Sequence, residues 1–217
     1  MRPVPPRPAS PDAKPSPGFN LGWSLLRDVP AVRPLFLLAS SAYFALACLE
    51  GTFGRLILHK LGLGAFYFGL IFGYEALLSV VTQTLILPFA NRRLAPKTLL
   101  RAAYFAQSIG LGFTPLAPNL WYLFAASTLF AVGTGLANPT VQGAGSAAVP
   151  AERQGELFGL LQATRSLGFL VGPILGGALF DWRPEAPYFL AGAVLAVGAL
   201  AATLPAVLPK REPAGEH

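Results

Sequence analysis

Charge is what this chain has least of. Only 12% of its 217 residues are Asp, Glu, Lys or Arg, where a soluble domain carries about 25%. That scarcity excludes an ordinary water-soluble globule. One cysteine, Cys48, excludes an internal disulfide framework. The two histidines, His59 and His217, lie outside the apolar runs, so no metal centre is expected. Gly143-Ala144-Gly145-Ser146 places a serine in apolar surroundings, but no histidine in any span can activate it. Neither a nucleophile–base set nor a glycine-rich phosphate loop is visible, so no enzyme and no cofactor are expected. The net charge is +6. Its basic residues cap apolar runs rather than covering a polar surface, which is the membrane pattern and argues against a nucleic-acid partner.

What the chain has instead is apolar length. Hydrophobic residues make up 53% of it, in six runs that predict an all-α membrane protein with six transmembrane helices. The expected spans are Pro34–Leu58, Ala65–Phe89, Thr98–Thr114, Leu120–Gly143, Glu156–Phe180 and Pro187–Leu208. Each approaches or exceeds what a hydrocarbon core of about 30 Å needs at ~1.5 Å per residue. Turn-forming or charged stretches divide them: His59-Lys60, Asn91-Arg92-Arg93, Thr114–Asn119, Ala147–Gly155 and Asp181–Pro184. Residues 1–20 hold seven prolines and read as a disordered tail. Residues 21–28 read as a short helical turn with Trp23, Leu25 and Leu26 at the bilayer surface. No secretory signal is visible.

Six spans put both termini on one side. Twelve basic residues then share that side: Arg2, Arg7, Lys14, Arg27, Arg33, Arg92, Arg93, Lys97, Arg101, Arg153, Lys210 and Arg211. Three, Arg55, Lys60 and Arg183, fall on the other. The imbalance predicts a plasma (inner) membrane protein with cytoplasmic termini.

Three ionisable residues fall inside spans, Glu50, Glu75 and Arg165. Burying such groups costs roughly 2.5–3.5 kcal/mol on insertion scales, so each calls for a partner or a role. Glu75 heads a stripe with Ser79, Thr82 and Gln83 that should face protein or water. Glu75 and Arg165 both come out near the midplane, as possible partners. Glu75 is a candidate proton carrier or a structural partner of Arg165 or of polar groups on another helix, and Glu50, in the outer third of its span, is a candidate for a proton or substrate role or for an interfacial or interhelix structural one. Arg165 reads first as a tie between helices or halves. Asn138, before Pro139, and Gln83 are candidates for a cavity wall.

The densest pattern is Gly159–Gly177. Gly168, Gly172 and Gly176 are four apart and share a helix face, which permits close small-xxx-small packing. Pro173 weakens the helix there. The full spacing, Gly159, Gly168, Gly172-Pro173 and Gly176-Gly177, resembles the antiporter motif of major facilitator superfamily drug exporters. Asp28–Pro34 with Cys48–Phe53, Gly133–Pro139 and Gln154–Gly168 resemble helices seven, ten and eleven of that superfamily's proton-coupled, tetracycline-type exporters. Leu87-Pro88-Phe89-Ala90-Asn91-Arg92 is a degraded form of the basic loop signature between the second and third helices of each half.

The resemblance implies the C-terminal six-helix half of a twelve-helix transporter. Such a half is a 3+3 inverted repeat with its substrate site near the midplane. It implies a leader, residues 1–32, like the central loop between halves, a bundle over 33–208 and a cytoplasmic tail over 209–217. The implied function is proton-coupled export of small amphipathic molecules by alternating access. The implied partners are the lipid bilayer, substrate, protons, and a second six-helix half or a second copy. The alternative is a non-transporting half, a structural partner or relic of a full-length transporter. On this reading the glycine face awaits a helix of the other half.

Overall fold

The computed structural model describes residues 22–202, so the disordered stretch expected over 1–20 and the tail expected over 209–217 lie outside them, while the last residues of the expected 1–32 leader are described. Every regular element among the described residues is helical. Helix α1 is Trp23–Asp28 and α2 is Val32–Leu61. Pro34 sits in the first turn of α2, where its missing N–H costs nothing. Gly62 ends the helix in the left-handed region at φ 65°, its N–H returning to the Ile57 and Leu58 carbonyls.

Helix α3 (Ala65–Val81) continues through a π turn (Thr82–Ile86) into α4 (Leu87–Arg93). Pro88 explains the turn. Proline has no N–H for the carbonyl four residues back, and its ring collides with that carbonyl. The Leu87 N–H instead reaches back five residues to Thr82, widening the coil ahead of the ring. Helix α5 (Pro96–Phe113) starts on a proline and passes into a 3-10 turn at Thr114–Leu116. Helix α6 (Leu120–Ala148) is capped by Asn119, whose side chain accepts from the Tyr122 N–H at 3.0 Å. A 3-10 turn (Ala151–Arg153) leads into α7 (Gln154–Trp182), and α8 spans Ala186–Ala201.

Four helical stretches are long and apolar enough to cross a membrane: Val32–Leu61, Ala65–Arg93, Leu120–Ala148 and Ala151–Trp182. The other two rods, α5 and α8, are shorter, and residues 203–208 of the expected sixth span lie outside the described region. Several rods outrun the expected boundaries. Asn91-Arg92-Arg93, expected as a turn, is the last turn of α4, and His59-Lys60 is the last turn of α2. Charged side chains at a helix end reach water without breaking backbone hydrogen bonds, so hydropathy falls before the helix does. Likewise Gly133, Gly135 and Pro139 do not interrupt α6.

Helix α5 forms the centre of the packing. A Cβ on Gly133 of α6 would stand 2.5 Å from the Ala103 carbonyl oxygen of α5. A Cβ on Gly110 of α5 would stand 2.6 Å from the Ala126 carbonyl oxygen of α6. Only glycine lets these two backbones approach so closely. Polar side chains then tie α5 to its other neighbours. Tyr104 donates to the Leu38 carbonyl of α2 at 2.6 Å, and Ser108 to the Gly192 carbonyl of α8 at 2.7 Å. Thr52 of α2 and Tyr188 of α8 lie 3.0 Å apart, oxygen to oxygen. In a medium without water such bonds satisfy groups that have no other partner.

Candidate functional site

The glycine face of α7 is occupied by α2 of the same chain. A Cβ on Gly172 would stand 2.5 Å from the Ala47 Cβ, and one on Gly168 would stand 3.0 Å from the Tyr43 carbonyl carbon. Gly176 lies over Cys48 and Thr52, and the Cys48 thiol points to the Gly172 carbonyl at 3.5 Å. Pro173 packs on Gly51. This corrects the expectation that these glycines await a helix absent from the chain. Gly159 and Gly177 have open space where a side chain would go. Spacing alone puts 168, 172 and 176 on one face but cannot say which helix covers it.

The other side of α7 is uncovered. Gln162, Arg165 and Ser166 are exposed there, at helical spacing. Arg165, expected inside the bundle, is therefore on its open face, with its guanidinium 5.5 Å from the Phe169 ring centre. Its acidic neighbour is Glu50 of α2, exposed on the same side, and the Tyr43 hydroxyl also faces it. Glu75 of α3 is half-buried, faces Ser127 of α6, and lies within electrostatic reach of Glu50. Among the described residues no ion pair joins Glu75 and Arg165, and each lies instead within electrostatic reach of Glu50. Helix rotation decides this, and depth along the axis does not reveal it.

The stripe below Glu75 turns onto α6. Tyr74 and Thr128 share a hydrogen bond of 2.7 Å, Ser79 donates to the Ala131 carbonyl at 3.2 Å, and buried Thr82 packs on Gly135. The π turn then carries Gln83 outward, and it is exposed. Asn138 is half-buried on α6, one residue before Pro139. Gln107 is buried between α5 and α6 against Gly133. Tyr43 was not among the sequence candidates. Its signal was its position seven residues before Glu50, two turns away on the same face. Among the described residues no three His, Cys, Asp or Glu side chains come together to hold a metal.

Charged bridges close both ends of the bundle. At the end shared by α1 and the α6–α7 connection, Arg153 bonds Glu156 at 2.7 Å, Ser24 at 3.0 Å and Asp28 at 3.1 Å. At the opposite end Arg55 bonds Asp181 at 2.6 Å and Lys60 bonds Glu185 at 2.7 Å. The Lys60 hydrogen bond holds the Glu185 carboxyl below its usual range.

Apolar rods with every backbone bond internal, carrying ionisable groups on an open face, define an integral membrane protein. The sequence model of the Major Facilitator Superfamily matches residues 4–217, and the chain belongs to that family. This places it with transport proteins rather than enzymes. It is 30% identical over 176 residues to the multi-drug resistance efflux pump PmrA homolog of Lactococcus lactis subsp. lactis (strain IL1403), covering 77% of this chain and 43% of that protein. It is 28% identical over 164 residues to multidrug resistance protein 1 of Bacillus subtilis (strain 168), covering 75% of this chain and 42% of that protein. Multidrug resistance protein 2 of the same organism is 27% identical over 172 residues, covering 75% and 40%. The chain spans less than half the length of these curated relatives.

Proposed function

We propose that this chain is the C-terminal six-helix half, a 3+3 inverted repeat, of an exporter of small amphipathic molecules driven by proton antiport. The six helices are α2, the α3–α4 rod, α5, α6, α7 and α8, within residues 33–208. Residues 1–32 and 209–217 lie in the cytoplasm, at the inner face of the plasma membrane. The observation that carries the reading is the uncovered face on which Glu50 and Arg165 lie, with Glu75 beside them. Charged groups on membrane helices are costly against lipid. They are readily accommodated on the wall of a water-filled cavity whose other wall is a second half. The names of the multidrug relatives support the substrate class.

In the proposed cycle Glu75 binds and releases the proton. Protonated, it is a neutral acid and crosses the dry side of the cycle without a bare charge. Ionised, it repels Glu50, which then leans on Arg165. The proton on Glu75 thereby changes how firmly Glu50 is held, and Glu50 and Tyr43 meet a substrate with a polar end. Asn138 and Gln83 complete the wall. Helices α3 and α7 slide against the second half as the cavity alternates, while the α2–α7 glycine contact moves as one piece.

Glu75→Gln tests this in vesicles holding the chain with its second half, under an imposed pH gradient. Efflux is lost, while membrane insertion and association stay intact. Undiminished efflux refutes the proton role. A second reading, a non-transporting partner or relic of a full-length transporter, draws on the 43% coverage of the relative. Efflux that never exceeds empty vesicles, with any six-helix partner supplied, favours it.

A further inference from the structure

We propose that the α4–α5 turn is a docking surface for anionic phospholipid headgroups. This inference needs only that the chain is embedded in a bilayer and does not rest on transport. Four basic residues, Arg92, Arg93, Lys97 and Arg101, fall within ten positions, and residues 76–151 contain no Asp or Glu to balance them. Among the described residues no carboxylate forms an ion pair with these arginines. Asp28 and Glu156 are bound to Arg153, Asp181 to Arg55 and Glu185 to Lys60. Among the described residues Arg92, Arg93 and Arg101 are exposed and form no ion pair. Arg55, Lys60 and Arg153, near the other connections, are paired within the chain, and the three arginines of this turn are left for something outside it.

The surroundings point to a lipid surface rather than an acidic protein. Phe89 is 57% exposed and Leu94 is 42% exposed, one on each side of the arginine pair. The Arg93 guanidinium lies 4.5 Å over the Phe89 ring centre. Exposed apolar side chains on both sides of the arginine pair match the boundary between acyl chains and headgroups. Trp23 of α1, 46% exposed, lies at the same end of the bundle and marks the interfacial level. Arg92 and Arg93 close α4, and Arg101 faces out from the first turns of α5, so the cations ring the two-residue connection. Phosphodiester oxygens are what such a ring of guanidinium groups binds best.

The test uses the full chain extracted from nanodiscs of phosphatidylcholine with added phosphatidylglycerol. Retained lipid is counted by native mass spectrometry. Wild type retains phosphatidylglycerol over phosphatidylcholine, and the preference fades with salt. Retention in R92Q/R93Q/R101Q falls by roughly fivefold for each arginine removed, with helical content unchanged. R183Q, an arginine at the opposite end, retains lipid as wild type does. Three results overturn the proposal: retention unchanged in the triple variant, equal retention of both lipids by wild type, or glycerol phosphate in water displacing the lipid. A fourth does so as well: loss of a co-purifying second chain in the triple variant while its lipid retention stays intact, which would identify the patch as a protein contact.

Discussion

Two pairs of rods in this bundle have nearly the same length and apolarity but very different surroundings. Half of the apolar stretch of α2 is buried, and half of that of α6, against 11% for the α3–α4 rod and 22% for α7. The well-covered pair carries glycine, alanine and serine contacts to α5, α7 and α8. The poorly covered pair presents long apolar side chains outward, Leu77, Leu85, Leu170 and Ile174 among them, with Gln83, Gln162 and Arg165 interleaved. Lipid accounts for the apolar part of that surface and not for the polar part. Apolarity places a helix in the membrane, and the polar minority on it says what else it faces.

Helix α7 has both kinds of surface, so two glycine substitutions on it have opposite expected outcomes. Gly172→Leu drives a side chain into the Ala47 backbone and Cβ. Overpacking of this kind costs about 1–3 kcal/mol and sometimes more, so the α2–α7 contact opens and the chain unfolds at a lower temperature in detergent. Gly177→Leu, which enters open space, leaves that temperature nearly unchanged. Equal effects at the two positions would mean that the glycine face is not internal.

A smaller effect is expected where α2 meets the start of α8. The Lys60–Glu185 bridge is about one-third exposed on each side, so it contributes only ~0.2–1 kcal/mol. Glu185 titrates lower in the folded protein than in the unfolded chain. Its contribution is therefore complete above the unfolded carboxyl pKa of about 4.3 and is lost as pH falls through the lower folded value. Glu185→Gln removes this increment at neutral pH and leaves stability at acid pH close to wild type, while the Lys60 bond to the Pro115 carbonyl at 2.6 Å stays in place. Thermal unfolding at two pH values reads the difference, and a gap that persists in acid would assign the loss to packing instead.

Much of this architecture was legible in the residues. The apolar runs and their proline and asparagine breaks predicted the rods, because hydropathy and capping act locally. Helix ends were misplaced where Arg92, Arg93, His59 and Lys60 continue a helix past its apolar part. The π turn ahead of Pro88 was not foreseen in the expected span Ala65–Phe89, and the positions it sets, Thr82 inward and Gln83 outward, needed the coil itself. The candidate site was only partly legible. Glu50, Glu75 and Arg165 were identifiable as ionisable groups in apolar runs. Their order across the face depends on how α2, α3 and α7 rotate about their axes, and sequence spacing along one helix carries no information about another. For the same reason the glycine spacing identified a contact but not its partner.

On the proposed function the polar face of α7 lines a wet cavity completed by a second half. Ser166→Cys places a thiol beside Arg165, and Cys48→Ala, a small change at a buried site, removes the native one. Labelling of the introduced thiol by a membrane-impermeant maleimide is the direct measurement, made on the chain in vesicles with the proposed second six-helix half. The thiol is expected to react, and substrate or a closed state of the proposed transporter suppresses the labelling. A thiol that reacts only with lipid-soluble reagents, with or without the second half, would place this face against lipid and contradict it.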